Sequence, residues 1–193
     1  MATETHEKIL QVARRLFVKQ GYTATSIRQV AGETGIGKAT IYHHFPDKQA
    51  IIMALLEQNQ AKMQENLAVM RAETDPRRRF QVAAELSILY LLESADILQI
   101  ARREVPGGRE FMMKGFGAFM RKFHALLVDA IQRGIEQGLF RAVDPAQAAR
   151  VFLTMIQGSF AMTYLSGERP QSPGKASAHL LEVFFKGIDI RPE

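Results

Sequence analysis

Cysteine is absent from the 193 residues, which excludes disulfides, thiolate metal sites and cysteine nucleophiles and fits a reducing compartment. No apolar run approaches the roughly 20 residues of a membrane span. The polar N-terminus MATETHEK also lacks the apolar stretch of a signal peptide, so a cytoplasmic location is expected. No segment alternates in the manner of a strand, and no internal repeat is found. Excess charge is small, with a net +5 that permits nucleic-acid binding without requiring it. The excess leans toward the N-terminus: residues 1–50 carry seven Lys/Arg against four Asp/Glu, and the remaining 143 carry eighteen against sixteen. Glu-x-x-His pairs of the di-iron type are missing, and so is any Ser/His/Asp elbow motif. The pair His179 and Glu182 shares a helix face but supplies too few ligands for a closed metal site, and His124 reads as a partly buried or surface histidine. No enzymatic role, metal or cofactor is therefore expected.

What is present is a sufficient core, 47% apolar residues, and one dense stretch, SIRQVAGETGIGKATIYHHFPDK, from Ser26 to Lys48. Ser26 and Gln29 have the capping-box spacing that opens a short helix through Ile27, Val30 and Ala31. Gly35 can take the left-handed conformation that stops it, and Gly37 keeps the connection tight before Lys38 begins a second helix. Two short helices around a glycine turn read as helix-turn-helix. The second helix turns Ile41 and Phe45 inward and presents Lys38, Ala39, Thr40, Tyr42, His43 and His44 outward, a surface suited to reading DNA. The same glycines also begin a phosphate-loop spacing, GxxxxGK. That reading fails at Ala39, where a hydroxyl is needed for magnesium, and the glycines follow a helix rather than a strand.

Ahead of this stretch, Ile9, Val12, Ala13, Leu16 and Phe17 form one face of a support helix, with Thr3 or Thr5 as caps and Gly21 as the stop. Arg14, Arg15 and Lys19 read as its solvated side. Behind it, Pro46 ends the second short helix and Asp47 caps another from Lys48. That helix is apolar at Ile51, Ile52, Leu55 and Leu56, polar from Glu57 to Asn66 except at Ala61 and Met63, and apolar again at Leu67, Val69 and Met70. Such a pattern suits a helix bridging two packed bodies, and the expected domains are residues 1–50 and 51–193.

Asp75-Pro76 restarts the pattern, with Arg77, Arg78 and Arg79 as a solvated helix start and Leu86 to Leu92 as a buried centre. A short helix is expected over Asp96–Glu104, ended by Val105-Pro106-Gly107-Gly108. A long helix follows from Arg109 to Gln137, then a stop at Gly138. Asp144-Pro145, with Gln147, opens a helix to about Leu165, and after the turn-rich Ser166–Gly174 a final helix buries Leu180, Leu181, Phe184 and Ile188. The fold class expected is all-α, about nine helices: an N-terminal three-helix helix-turn-helix domain and a C-terminal helical domain. The methionines and aromatics at Tyr90, Met112, Phe116, Met120, Phe123 and Met155 serve equally as plain core or as an adaptable apolar pocket. Glu93, Asp96 and Glu104 are either polar contacts of that pocket or surface charges.

Residues 9 to 55, through IlqvArrLFvkqGYtaTSIrqVA and GIGKATIYHHFPDKQAII, resemble the DNA-binding domain of the TetR family of transcriptional regulators. The run from Lys38 to Lys48 looks like that family's Tyr-x-x-Phe-x-x-Lys signature, and GLFRAVDPAQAARVFLTMIQGSF, residues 138–160, looks like its penultimate helix. The resemblance implies a nine-helix homodimer with a ligand-binding and dimerisation domain. Its last two helices would form the dimer interface, here through Phe152, Ile156, Phe160, Leu180 and Phe184. Lys38, Ala39 and Tyr42 would face base edges or the groove, and Arg28 would reach a guanine. Thr25, Ser26, Thr40, Tyr42, His43, His44 and Lys48 would meet phosphates. Ile27 departs from a polar residue found in some members and is given only core packing. The reading implied is a homodimeric, ligand-responsive repressor, released from a palindromic operator by a largely apolar small molecule. The alternatives are an activator with the same DNA-binding domain and a helical small-molecule-binding protein.

Overall fold

Glycine, proline and capping side chains divide the chain into eight helices in a computed structural model that describes residues 2–166 and 172–189. α1 (Ala2–Gln20) ends at Gly21, held at φ 88°. α2 (Ile27–Thr34) is opened by the expected capping box: the Gln29 N–H donates to Ser26 Oγ at 3.2 Å, and the Ser26 N–H donates to Gln29 Oε1 at 2.8 Å. It is closed by Gly35 at φ 67°. α3 (Lys38–His44) follows Gly37, which is not left-handed and whose added Cβ would meet nothing within 4 Å, so local packing does not require glycine there. α4 (Lys48–Ala72) is capped by Asp47 through the Ala50 N–H, 2.7 Å.

α5 (Pro76–Glu104), capped by Asp75 through the Arg78 N–H at 2.7 Å, is one helix and not two. The separate short helix over Asp96–Glu104 is corrected by this continuity, and the merger leaves eight helices among the described residues, close to the nine expected. No Gly or Pro falls between Pro76 and Glu104. Ser94, just ahead of the expected start, is buried and donates to Asn59 Oδ1 at 3.1 Å. α6 (Gly108–Glu136) starts after Gly107 (φ 73°) and stops before Gly138 (φ 70°). α7 (Pro145–Ser166) is capped by Asp144 through the Ala146 and Gln147 N–H groups. α8 (Pro173–Ile188) is capped by Ser172. Thr3 and Thr5 lie inside α1, which already starts at Ala2, so they are not its caps. The loop expected around Ser166–Gly174 falls largely on 167–171, outside the described residues.

The helices fall into two compact units. The first comprises residues up to Lys62 with Ser94–Phe116. Its core joins Ile9, Phe17, Val30, Ile41, Phe45, Ile51, Ile52 and Leu55 to Ile97 and Val105. Each large apolar side chain so buried contributes roughly 1.5–3 kcal/mol by the transfer measure. The second comprises Met63–Glu93 and Gly117 onward. Its core includes Leu67, Phe80, Phe123, Leu127, Ile131, Phe140, Phe152, Ile156, Leu180, Phe184 and Ile188. Phe80 meets Phe152 edge-on at 4.7 Å and lies 5.0 Å from Phe184. α4 thus supplies Ile51, Ile52 and Leu55 to one core and Leu67 and Met70 to the other.

The arginine run also departs from expectation. Only Arg78 is an exposed helix-start residue. Arg77 pairs with Asp189 at 2.8 Å and lies over the Phe140 and Phe185 rings at 5.5 and 5.1 Å. Arg79 is buried, donating to the Glu73 carbonyl at 2.9 and 2.6 Å, to the Leu126 carbonyl at 3.2 Å and to Asp129. A buried guanidinium is tolerable because it is partnered on all sides.

Candidate nucleic-acid interface

The reading face is built on two buried anchors. Ile41 (0% exposed) and Phe45 (3%) pin α3 to the first core, and the remaining side chains of this two-turn helix, His44 excepted, are left outside. Lys38, Ala39, Thr40, Tyr42 and His43 are exposed, Tyr42 at 52%, and His44 is half-buried. The His44 ring lies 5.8 Å from that of His43 and 5.9 Å from that of His6 on α1. On α2, Arg28 and the cap Ser26 are exposed. The turn between α2 and α3 is fixed by Thr34, whose buried hydroxyl donates to the Val30 carbonyl at 2.8 Å and accepts the Ile36 N–H at 3.2 Å. Sequence reasoning passed over Thr34, although a hydroxyl immediately before a left-handed glycine is a recognisable signal.

Thr25 and Lys48 sit differently. Thr25 is buried, and its hydroxyl donates to the Gly21 carbonyl at 2.7 Å. The half-buried Lys48 sends its ammonium to the carbonyls of Tyr22 at 2.6 Å, Thr23 at 3.3 Å and Thr25 at 2.7 Å, and stands 4.3 Å from the centre of the Tyr22 ring. Burial lowers the Lys48 pKa below the ordinary lysine value, and the charge of Glu104 opposes that shift. Glu104, the last residue of α5, accepts the Thr23 N–H at 2.9 Å. Residues 21–25 are therefore gripped from α4 and from α5.

The remaining candidates are dispersed. Met112 and Phe116 belong to the first unit, Met112 half-buried and Phe116 39% exposed. Tyr90, Glu93, Met120, Phe123 and Met155 belong to the second, where Phe123 is core, Tyr90, Met120 and Met155 are half-buried and Glu93 is exposed. Phe152, Ile156, Leu180 and Phe184 fill the core of that unit, whereas Val151 and Val183 on the same helices are 56% and 51% exposed. The Phe160 side chain lies outside the described residues. Within the first unit, Asn59 is 8% exposed, and its Nδ2 has no partner among the described residues. The neighbouring Gln60 donates to the Phe111 carbonyl at 3.2 Å. Among the described residues no group of three or more His, Asp or Glu is arranged to hold a metal ion, and no helix is long and apolar enough to cross a membrane.

Two family models match the chain: bacterial regulatory proteins, tetR family, over residues 9–55, and the tetracyclin repressor-like C-terminal domain over residues 73–161. The chain is similar to the uncharacterised HTH-type transcriptional regulator YvkB of Bacillus subtilis, 29% identical over 95% of this chain and 97% of that one. It is also similar to the HTH-type transcriptional repressor AcnR of Corynebacterium glutamicum, 25% identical over 86% and 84%. A crystal structure of a putative transcriptional regulator from Saccharomonospora viridis in complex with choline superposes with a TM-score of 0.72, at 26% identity over 98% of this chain and 100% of that one. A TetR regulator from Haloarcula marismortui has the same score at 19% identity and shares the fold.

Proposed function

Since the chain belongs to the TetR family and is a DNA-binding transcriptional regulator, we propose that it is a homodimeric repressor that leaves a palindromic operator when a small molecule binds. The observation that carries this reading is the outward face of α3. Lys38, Ala39, Thr40, Tyr42 and His43 stand exposed over a helix held by Ile41 and Phe45, which is how a reading helix meets a major groove. In this reading Lys38, Ala39 and Tyr42 face base edges and Arg28 reaches from α2. Ser26, Thr40, His43 and His44 meet phosphates, which position the protein without specifying sequence. Thr25 and Lys48 act from inside, since their hydrogen bonds are spent on the α1–α2 loop.

A repressor reading a palindrome needs a two-fold axis. Val151 and Val183 are the exposed apolar residues that would meet the partner, with Phe152, Ile156, Leu180 and Phe184 supporting them from behind. Release follows from linkage: an effector that binds better to the state with poor operator affinity shifts the population toward it. Its contacts would be Met112 and Phe116, with the Asn59 Nδ2, unpartnered among the described residues, supplying a hydrogen bond to an acceptor atom. The choline bound by the Saccharomonospora viridis protein makes choline the first compound to try.

The test is a titration of the protein with DNA from upstream of its own gene at two salt concentrations. Sequence-specific retention that weakens linearly in log salt supports a repressor. Binding without sequence preference would favour a helical small-molecule-binding protein, and transcription raised by the bound protein would favour an activator.

A further inference from the structure

Residues 21–25 have no regular structure of their own, yet they end at Ser26, the cap that orients α2. Part of its hold is local, the Thr25 N–H donating to the Tyr22 carbonyl at 3.2 Å and the Thr25 hydroxyl to the Gly21 carbonyl at 2.7 Å, and the rest is contributed by side chains remote in sequence. The Lys48 ammonium has three N–H groups and meets three loop carbonyls, those of Tyr22, Thr23 and Thr25. Glu104 takes the opposite pole, accepting the Thr23 N–H at 2.9 Å. Its carboxylate also lies against Gly21, where an added Cβ would stand 3.2 Å from Oε2, and where φ of 88° already demands glycine. The loop is thus held at its carbonyls by a cation and at an amide by an anion, both from helices outside the reading motif.

We propose that Glu104 is a positioning residue for DNA binding: it fixes residues 21–25, and through them the start of α2, without touching DNA. Simple electrostatics demands the reverse behaviour. A carboxylate on a unit that binds a polyanion weakens binding by repulsion, so its removal should tighten the complex. Positioning requires that removal loosen it. Glutamine separates the two cases, since it loses the charge but keeps an oxygen that can accept the Thr23 N–H.

The experiment measures operator affinity for the full chain and for Glu104→Ala, Glu104→Gln and Lys48→Met over a range of salt, with folding followed by circular dichroism. Glu104→Ala should bind about tenfold more weakly, the size expected for loss of a hydrogen bond to a charged group, and Glu104→Gln should recover most of that loss. Lys48→Met should weaken binding without lowering the salt slope by the roughly 0.9 that loss of one phosphate contact costs. Equal or tighter binding by Glu104→Ala, or tightening by Glu104→Gln, would overturn the proposal. The inference rests on this unit binding DNA, and the unaltered chain reports that separately: failure of the wild-type protein to retain operator defeats the functional reading first. Should Glu104→Ala not fold, exchange of the Thr23 amide in the wild-type protein decides. Protection supports the contact, and exchange at the rate of an open loop rejects it.

Discussion

Adjacent residues in α3 carry opposite duties. Ile41 is wholly buried and Tyr42 is 52% exposed, so truncating each has a different consequence. Tyr42→Ala and Arg28→Ala are expected to abolish specific operator binding while leaving the unfolding midpoint within a few degrees, because neither side chain fills the core. Ile41→Ala should instead cost about 2–5 kcal/mol of stability. Gel-shift titration beside thermal unfolding checks both halves, and unchanged affinity in Tyr42→Ala and Arg28→Ala would remove them from the reading face. A second residue-scale effect concerns Asp129, which sits between Arg79 and Arg133. Partial burial raises its pKa, but the hydrogen bonds and charges of the two arginines outweigh this and hold it below the ordinary 3.8. A depressed carboxyl contributes stability that is present above its unfolded pKa and lost as pH falls through the folded value. Stability should therefore decline below about pH 4, and Asp129→Asn should flatten that acid limb in a denaturation series.

At the scale of elements, the short helices depend on their ends more than on their length. α2 has eight residues and cannot persist alone. Its capping box and the left-handed Gly35 therefore matter to the presentation of Arg28. Ser26→Ala should lower stability by about 1 kcal/mol. Gly35→Ala should cost about the same through its positive φ, although space there is open. Urea titration measures both, and a Gly35→Ala variant as stable as the parent would show that the turn tolerates another conformation. Most of these boundaries were legible in sequence because they rest on local chemistry: Ser26 with Gln29, Gly35, Asp47, Asp75 and Asp144 all act within four residues of themselves. The exception was α5. A separate helix was expected from Asp96, and the hydrogen bond of nearby Ser94 to Asn59 on α4 is visible only once the chain has folded.

For the whole molecule, the proposed dimer places its test on Val151 and Val183, one from each of the last two helices. The double substitution Val151→Asp and Val183→Asp is expected to give a monomer of unchanged helicity with operator affinity reduced at least tenfold, since one half-site contact is lost. Size-exclusion with light scattering reads the mass, and a dimer that survives the double substitution would move the interface elsewhere. Of the residues that the family resemblance implied there, Phe160 has its side chain outside the described residues, and Phe152, Ile156, Leu180 and Phe184 lie in the core of their own unit. A helical stripe says which residues turn inward, not whether they turn toward their own chain or a partner, and these four turn toward their own.

The sequence by itself determined the all-helical class, the helix-turn-helix and the inward and outward faces of α3. All of these follow from propensity, capping and a 3.6-residue period acting over a few turns. Tertiary structure decided what depends on groups distant in the chain. Residues 94–116 complete the first unit, Arg79 is buried rather than solvated, and Lys48 and Glu104 close on the loop before Ser26. A charged side chain reads the same in sequence whether it faces water, phosphate or a carbonyl, and only the folded chain supplies its partner.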